Sequence, residues 1–168
     1  MLQKQDIETH LKHLNDELLR MGVKGELCLY GGTVMCLVYN ARPSTKDVDA
    51  VFIPTQEMRK AAKKVAEADG LPEDWMNDAV KGFVVEHPKR IFMDLPNLKV
   101  YVPEPDYLLA MKALAARLDG TDRDDLRFLI GKMGLKSAGQ IFDILRKYYP
   151  NEQIKPATQY FVEEIFQS

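Results

Sequence analysis

Two acidic residues separated by a single apolar one, Asp47-Val48-Asp49, stand at the head of an apolar stretch that ends at Ile53. In an extended segment successive side chains alternate, so the two carboxylates point one way and Val48 the other. Carboxylates placed like that can share a divalent cation. All-oxygen ligation suits Mg2+, or Mn2+, which takes one or two protein carboxylates and fills its remaining positions with water and substrate phosphates. A lone D-x-D triplet is nevertheless common on surface strands and carries little meaning by itself.

Gly31-Gly32 gives the triplet its context, because it lies directly after Glu26-Leu27-Cys28-Leu29-Tyr30, which reads as a strand, and before a helical stretch from Val34 to Tyr39. Glycine there lets backbone approach a ligand closely, and exposed N–H groups at a helix start attract anions such as phosphate. Between the glycines and the aspartates lies a loop, Arg42-Pro43-Ser44-Thr45-Lys46, marked by its proline and hydroxyl residues. The bland reading of Gly31-Gly32 is a turn that merely needs positive φ.

The order of parts, strand, Gly-Gly, helix, loop, then D-x-D, resembles the nucleotidyltransferase signature of the DNA polymerase beta superfamily. Here the aspartates come fifteen and seventeen positions after Gly32. A second stretch, Lys112-Ala113-Leu114-Ala115-Ala116-Arg117 followed by Asp122-Arg123-Asp124-Asp125-Leu126, is similar to the K-x-x-A…R…D-x-x-D-L pattern of the bacterial AbiEii/AbiGii toxin-like group. That group also carries R-x-x-T-x-D-h-D, matched by Arg42 through Asp49. The similarity spans residues 26 to 130.

This resemblance implies a Mg2+-dependent transfer of a nucleotidyl group from an NTP to an acceptor on RNA, protein or a small molecule. Asp47 and Asp49 would be the metal ligands and, with Lys112, the catalytic residues. Gly31, Gly32, Thr33, Arg42, Thr45, Asp122 and Asp125 would bind the nucleotide. Lysine is a compact charge suited to a triphosphate; the bland reading makes Lys112 an exposed helix residue and Asp122 an N-cap. A toxin role with an antitoxin partner follows by analogy alone.

One departure stands out. Polymerising members use a third carboxylate on a later strand, and the clear strand here, Leu98 to Val102, holds no acid. Asp94, Glu86 and Asp78 are the available substitutes. A catalytically inactive nucleotidyltransferase fold that binds a nucleotide or a protein partner is therefore the alternative; a sugar-nucleotide glycosyltransferase would need no glycine pair. His10 and His13 would require a third ligand to hold a metal, and the sequence offers none beside them. Tyr148-Tyr149 and Tyr160-Phe161 read as packing residues.

The elements that must position these groups follow from periodicity. Ile7, Leu11, Leu14, Leu18 and Met21 predict a first helix, with Asp6 as N-cap and Gly22 as stop. A strand is expected over Asp47 to Ile53, a helix from Pro54-Thr55 to Gly70, and a further short helix carrying Trp75, Met76, Ala79 and Val80. Residues 83 to 96 are ambiguous. Leu98, Val100 and Val102 alternate with polar neighbours as a half-buried strand does. Four helices follow: Pro105 to Leu118, Asp122 to Met133, Ser137 to Tyr149, and Pro156 to Phe166. The expectation is an α/β (α+β) fold, a small mixed sheet flanked by helices. A nucleotidyltransferase core over 1–103 would carry a helical C-terminal sub-domain over 104–168, packed on it as one compact unit.

With 168 residues, 46% of them hydrophobic and 29% charged, the chain has globular proportions. No apolar run approaches the roughly 20 residues that span a bilayer. A polar N-terminus and two isolated cysteines, Cys28 and Cys36, point to a reducing, cytoplasmic setting. A formal net charge of −2 excludes a global basic field, so strong non-specific binding to duplex DNA is not expected. The local clusters Lys60, Lys63 and Lys64, and Lys81, Lys89 and Arg90, read as solvated faces.

Overall fold

The computed structural model describes residues 1–115 and 120–167. Contacts divide the chain into two compact units, Met1–Val84 with Lys89–Pro103, and Val85–Pro88 with Glu104–Ser168.

In the first unit a short strand β1 (Leu2–Gln3) leads into α1 (Lys4–Met21), followed by β2 (Gly25–Tyr30), α2 (Gly31–Leu37), β3 (Ser44–Thr45), β4 (Val48–Ile53) and α3 (Thr55–Asp69). Then come β5 (Met76–Asn77), a 3-10 turn (Ala79–Gly82), β6 (Lys89–Asp94) and β7 (Leu98–Pro103). Five strands form a mixed sheet in the order β5-β4-β2-β7-β6, with β2 antiparallel to β4 and parallel to β7. β1 and β3 make a separate antiparallel pair.

Helix α1 forms because its apolar residues fall on one stripe, and Ile7, Leu11, Leu14 and Leu18 are completely buried. Asp6 is not its N-cap, as expected above, but sits inside the first turn, where its carboxylate accepts the Gln3 N–H at 2.9 Å. Gly22 ends the helix in the left-handed region at φ 68°.

One face of the sheet is the core. Leu27 faces Phe52 and Val100 across β2, and Leu29 faces Ala50; these five residues are 5% exposed or less. Leu18 of α1 and Met58 of α3 press on the bare backbone of Gly25 on this same face. Each fully buried apolar side chain of this size contributes about 1.5–3 kcal/mol. The other face carries Glu26, Asp49, Asn77, Lys99 and Tyr101, together with the buried Cys28 and Tyr30.

The expected helix through Trp75 and Met76 is absent. Met76 and Asn77 pair instead with Val48 and Asp49 as a parallel edge strand, and the Trp75 indole donates to the Ala62 carbonyl at 2.9 Å. Backbone pairing to β4 outweighs the local helical pattern, whose Leu71-Pro72 start lacks a cap. The ambiguous segment resolves into β6, which pairs with β7 through an irregularity between Ile91 and Met93.

The second unit is helical: α4 (Pro105–Ala115), α5 (Gly120–Met133), α6 (Ala138–Tyr148) and α7 (Pro156–Ile165). The predicted extension of α4 through Ala116, Arg117 and Leu118 lies outside the described residues. Ser137 caps α6, its hydroxyl accepting the Gln140 N–H at 3.4 Å. Tyr107 and Tyr149 are buried and share a hydroxyl–hydroxyl hydrogen bond of 2.7 Å. Burial and that bond push the Tyr149 phenol far above its usual range. Tyr148 and Phe161 pack as expected, whereas Tyr160 is 71% exposed and does not.

Candidate functional site

The D-x-D triplet straddles the start of β4. Asp47 occupies the bend before it, and Asp49 is the second residue of the strand, opposite Tyr30 on one side and Asn77 on the other. Val48 and Ala50 are fully buried, so Asp49, between them, projects from the sheet's opposite face. Both carboxylate residues are half-buried.

Gly31 opens α2 with φ +61°, and a Cβ built there would lie 2.8 Å from Asp49 Oδ2. The carboxylate therefore rests against bare backbone. At Gly32 an added Cβ would lie 2.6 Å from Arg42 Nη1 and 3.0 Å from Thr45 Oγ1. Both glycines allow a close approach, one by an acid and one by a guanidinium and a hydroxyl, and Gly31 is further demanded by its positive φ. The helix begins at the glycines themselves, three residues earlier than the apolar run from Val34 predicts, because Gly31, Gly32 and Thr33 are not apolar and add nothing to that pattern although Gly32 and Thr33 are buried.

Two buried hydroxyls fix the triplet's backbone. Thr33 Oγ1 donates to the Asp47 carbonyl at 3.2 Å and accepts the Asp49 N–H at 3.3 Å, while Thr45 Oγ1 donates to the same Asp47 carbonyl at 3.4 Å. Thr33 is completely buried and Thr45 is 6% exposed. Their hydroxyls hold the backbone of the two aspartates. Thr45 is itself anchored by pairing with Leu2, so the N-terminal strand steadies the loop. Nearby, burial raises the Cys36 thiol above its usual range, with Arg42 and Lys4 pulling in the opposite direction. Burial also raises the Cys28 thiol.

Structure thus brings together Gly31, Gly32, Thr33, Arg42, Thr45, Asp47 and Asp49 in the first unit. Lys112, Asp122 and Asp125 form a cluster in the second. Lys112 Nζ lies 2.6 Å from Asp125 Oδ2 and 3.7 Å from Asp122 Oδ1, and the Lys112 and Asp125 side chains are 10% and 3% exposed. Lys112 is not an exposed helix residue. Its ammonium meets two carboxylates within its own unit.

The three substitutes for a third carboxylate differ in place. Asp94 pairs in register with Lys99, and since Glu26 also faces Lys99 while Tyr30 faces Asp49, it sits at the far end of the sheet from Asp49. Asp78 follows Asn77 at the edge beside Asp49, but its carboxylate takes the Arg59 guanidinium at 2.8 Å. Glu86 is exposed and belongs to the second unit. Asn77 stands in a stretch whose local pattern is helical, and its cross-strand partner, not its neighbours, puts it beside Asp49.

A second group likewise depends on contact between elements distant in sequence. His10 Nδ1 and His13 Nδ1 each lie 2.7 Å from Asp69 Oδ2, the last residue of α3. The third ligand-type side chain that α1 lacks is supplied across the helix pair, 59 and 56 positions away in sequence. Burial alone would raise the Asp69 carboxyl, but hydrogen bonds from His13 and His10 bring it below its usual range.

The basic clusters are interleaved with acids or aromatic rings. Lys63 lies 3.7 Å from Glu73, and Lys89 sits over the Tyr101 ring at 4.5 Å. Among the described residues no helix is long and apolar enough to cross a membrane. Comparison with protein-family models, curated proteins and solved structures finds no match to this chain.

Proposed function

We propose that this chain is a Mg2+-dependent nucleotidyltransferase that moves a nucleotidyl group from an NTP to an acceptor hydroxyl on RNA, a protein or a small molecule. The observation that carries the reading is the seating of Asp49 Oδ2 against the bare backbone of Gly31. It sets one acid of the D-x-D triplet against the glycine turn, two features separate in sequence.

The donor set fits a hard cation: two half-buried carboxylates, both oxygen ligands, on backbone that Thr33 and Thr45 hold fixed. Bound Mg2+ would neutralise phosphate charge and favour departure of pyrophosphate. Asp47 and Asp49 would hold it, the Gly31-Gly32 backbone would admit the phosphates closely, and Arg42 over Gly32 would pair with a phosphate oxygen. The acceptor oxygen bonds to the α-phosphorus as the bond to pyrophosphate breaks, and the hydroxyl proton passes to solvent. Catalysis here is positioning and electrostatics. The toxin role with an antitoxin partner is carried by the resemblance of the motifs alone.

A second reading, a nucleotide-binding protein of the same fold without turnover, is favoured by a specific observation. Asp78, the candidate third carboxylate that directly follows Asp49's cross-strand neighbour Asn77, is engaged by Arg59. Incubation with each labelled NTP, Mg2+ and total RNA or lysate separates the two. Label transfer that disappears in the Asp47→Ala/Asp49→Ala double variant supports the enzyme. Mg2+-dependent NTP binding without transfer selects the binding protein, and transfer unchanged in the double variant defeats both.

A further inference from the structure

His10 and His13 are three residues apart and therefore share one face of α1, beside the apolar stripe that ends in the core. The C-terminus of α3 delivers Asp69 to that face. Both imidazole Nδ1 atoms converge on a single carboxylate oxygen, each at 2.7 Å. All three ligand-type atoms lie within 4.8 Å of one another.

The group is held from behind. His10 is 12% exposed and meets the Trp75 ring edge-on, with centroids 5.7 Å apart, and Trp75 is itself tied to the Ala62 carbonyl. Asp69 is 13% exposed, and the helix ends immediately after it at Gly70, in the left-handed region at φ 70°. His13, by contrast, is 47% exposed. Two ligands are thus fixed by packing and the third opens to solvent.

We infer that His10, His13 and Asp69 form a binding site for a borderline divalent transition metal of the Zn2+ class, with water completing the coordination shell. Two imidazoles and one carboxylate are a nitrogen-rich set that suits Zn2+, Co2+ or Ni2+ and disfavours Mg2+ and Ca2+. Metal–ligand bonds of about 2.0–2.2 Å in a tetrahedral shell set neighbouring ligand atoms about 3.3 Å apart. The two His–Asp contacts therefore have to open by about 0.6 Å each, at His13 by a shift of its exposed ring and at His10 by a small rotation of the Asp69 carboxylate away from the packed imidazole. The metal would tie α1 to α3 on the helical side of the sheet, whereas Asp49 projects from the other side. This site is independent of the nucleotide reading.

The test is titration of metal-free full-length protein with Co2+ and with Zn2+, followed by visible absorption and calorimetry. One equivalent of Co2+ should produce the ligand-field bands of a low-coordinate nitrogen and oxygen site, without the intense near-ultraviolet band of a thiolate, which excludes Cys28 and Cys36 as the ligands. His13→Gln and Asp69→Asn should each weaken Zn2+ binding by more than about 100-fold, since even loss of an outer-shell partner costs 10–100-fold. His13 is half exposed, so His13→Gln keeps the fold, which circular dichroism verifies. Asp47→Ala/Asp49→Ala should leave Zn2+ binding unchanged. Absence of saturable binding, or binding that survives both His13→Gln and Asp69→Asn, overturns the inference and leaves the trio as a hydrogen-bonded tie between two helices.

Discussion

Asp49 Oδ2 occupies the space that a side chain on Gly31 would need, 2.8 Å from the Cβ position. Gly31 also has φ +61°, a conformation that costs an L-residue about 1–2 kcal/mol. Gly31→Ala therefore meets two penalties, one in the backbone and one against the carboxylate. The expected outcome is destabilisation of about 1–2 kcal/mol from the backbone alone, together with loss of Mg2+-dependent NTP binding. Urea unfolding and calorimetry measure the two separately, and full nucleotide affinity in Gly31→Ala would show that the carboxylate's seat is irrelevant to the ligand.

Thr33 makes its hydroxyl both donor and acceptor to the triplet backbone, in a completely buried position. Thr33→Val keeps the shape and removes both bonds, leaving the Asp49 N–H without its hydroxyl acceptor and the Asp47 carbonyl with Thr45 as its one hydroxyl donor. A buried group left without a partner costs about 1–3 kcal/mol. Thr33→Ser should recover most of the stability and the nucleotide binding. Equal behaviour of Thr33→Val and Thr33→Ser in thermal unfolding would mean that the methyl group, not the hydroxyl, matters.

Lys112 and Asp125 form an ion pair with little solvent access. Removing one partner of a buried pair leaves the other charge uncompensated, at a cost of about 3–5 kcal/mol. Lys112→Met should lower unfolding stability by that order, and Asp125→Asn should lower it in the same direction. An unfolding midpoint for Lys112→Met close to the native one would free this lysine for a purely functional role.

Asp69 gives the molecule an acid-sensitive tie. Its folded carboxyl titrates below the ordinary value of 3.8 because His13 and His10 hydrogen-bond to it. A depressed carboxyl stabilises the fold at pH above the unfolded value and loses that contribution as pH falls through the folded one. Native protein should thus lose stability progressively below about pH 4, and Asp69→Asn should lack that component. Parallel acid limbs for the two proteins in denaturant melts between pH 2 and 5 would refute the assignment.

Tyr149 donates to or accepts from Tyr107 in a buried pair, and Tyr107 also accepts the Val85 N–H at 3.0 Å. Tyr149→Phe should cost about 1 kcal/mol. In the native protein this phenol should stay protonated through alkaline pH until unfolding, so ultraviolet difference titration should count one fewer ionising tyrosine before the alkaline transition.

The local pieces are written along the chain. Helices α1, α3 and α4 to α7 and strands β2, β4 and β7 were legible because their apolar periods are long, and a period is written along the chain. Gly22 and Gly70 as helix stops were legible for a similar reason, since left-handed caps favour glycine. Tertiary structure alone decided what depends on residues meeting across elements. It turned Trp75-Met76-Asn77 from an expected helix into an edge strand beside Asp49, because pairing with β4 is a non-local gain that local propensity does not encode. It set Lys112 against Asp125, Thr33 against the Asp47 carbonyl, and Asp69 between His10 and His13. Each of those contacts joins side chains from different segments, and only the folded backbone fixes which segments become neighbours.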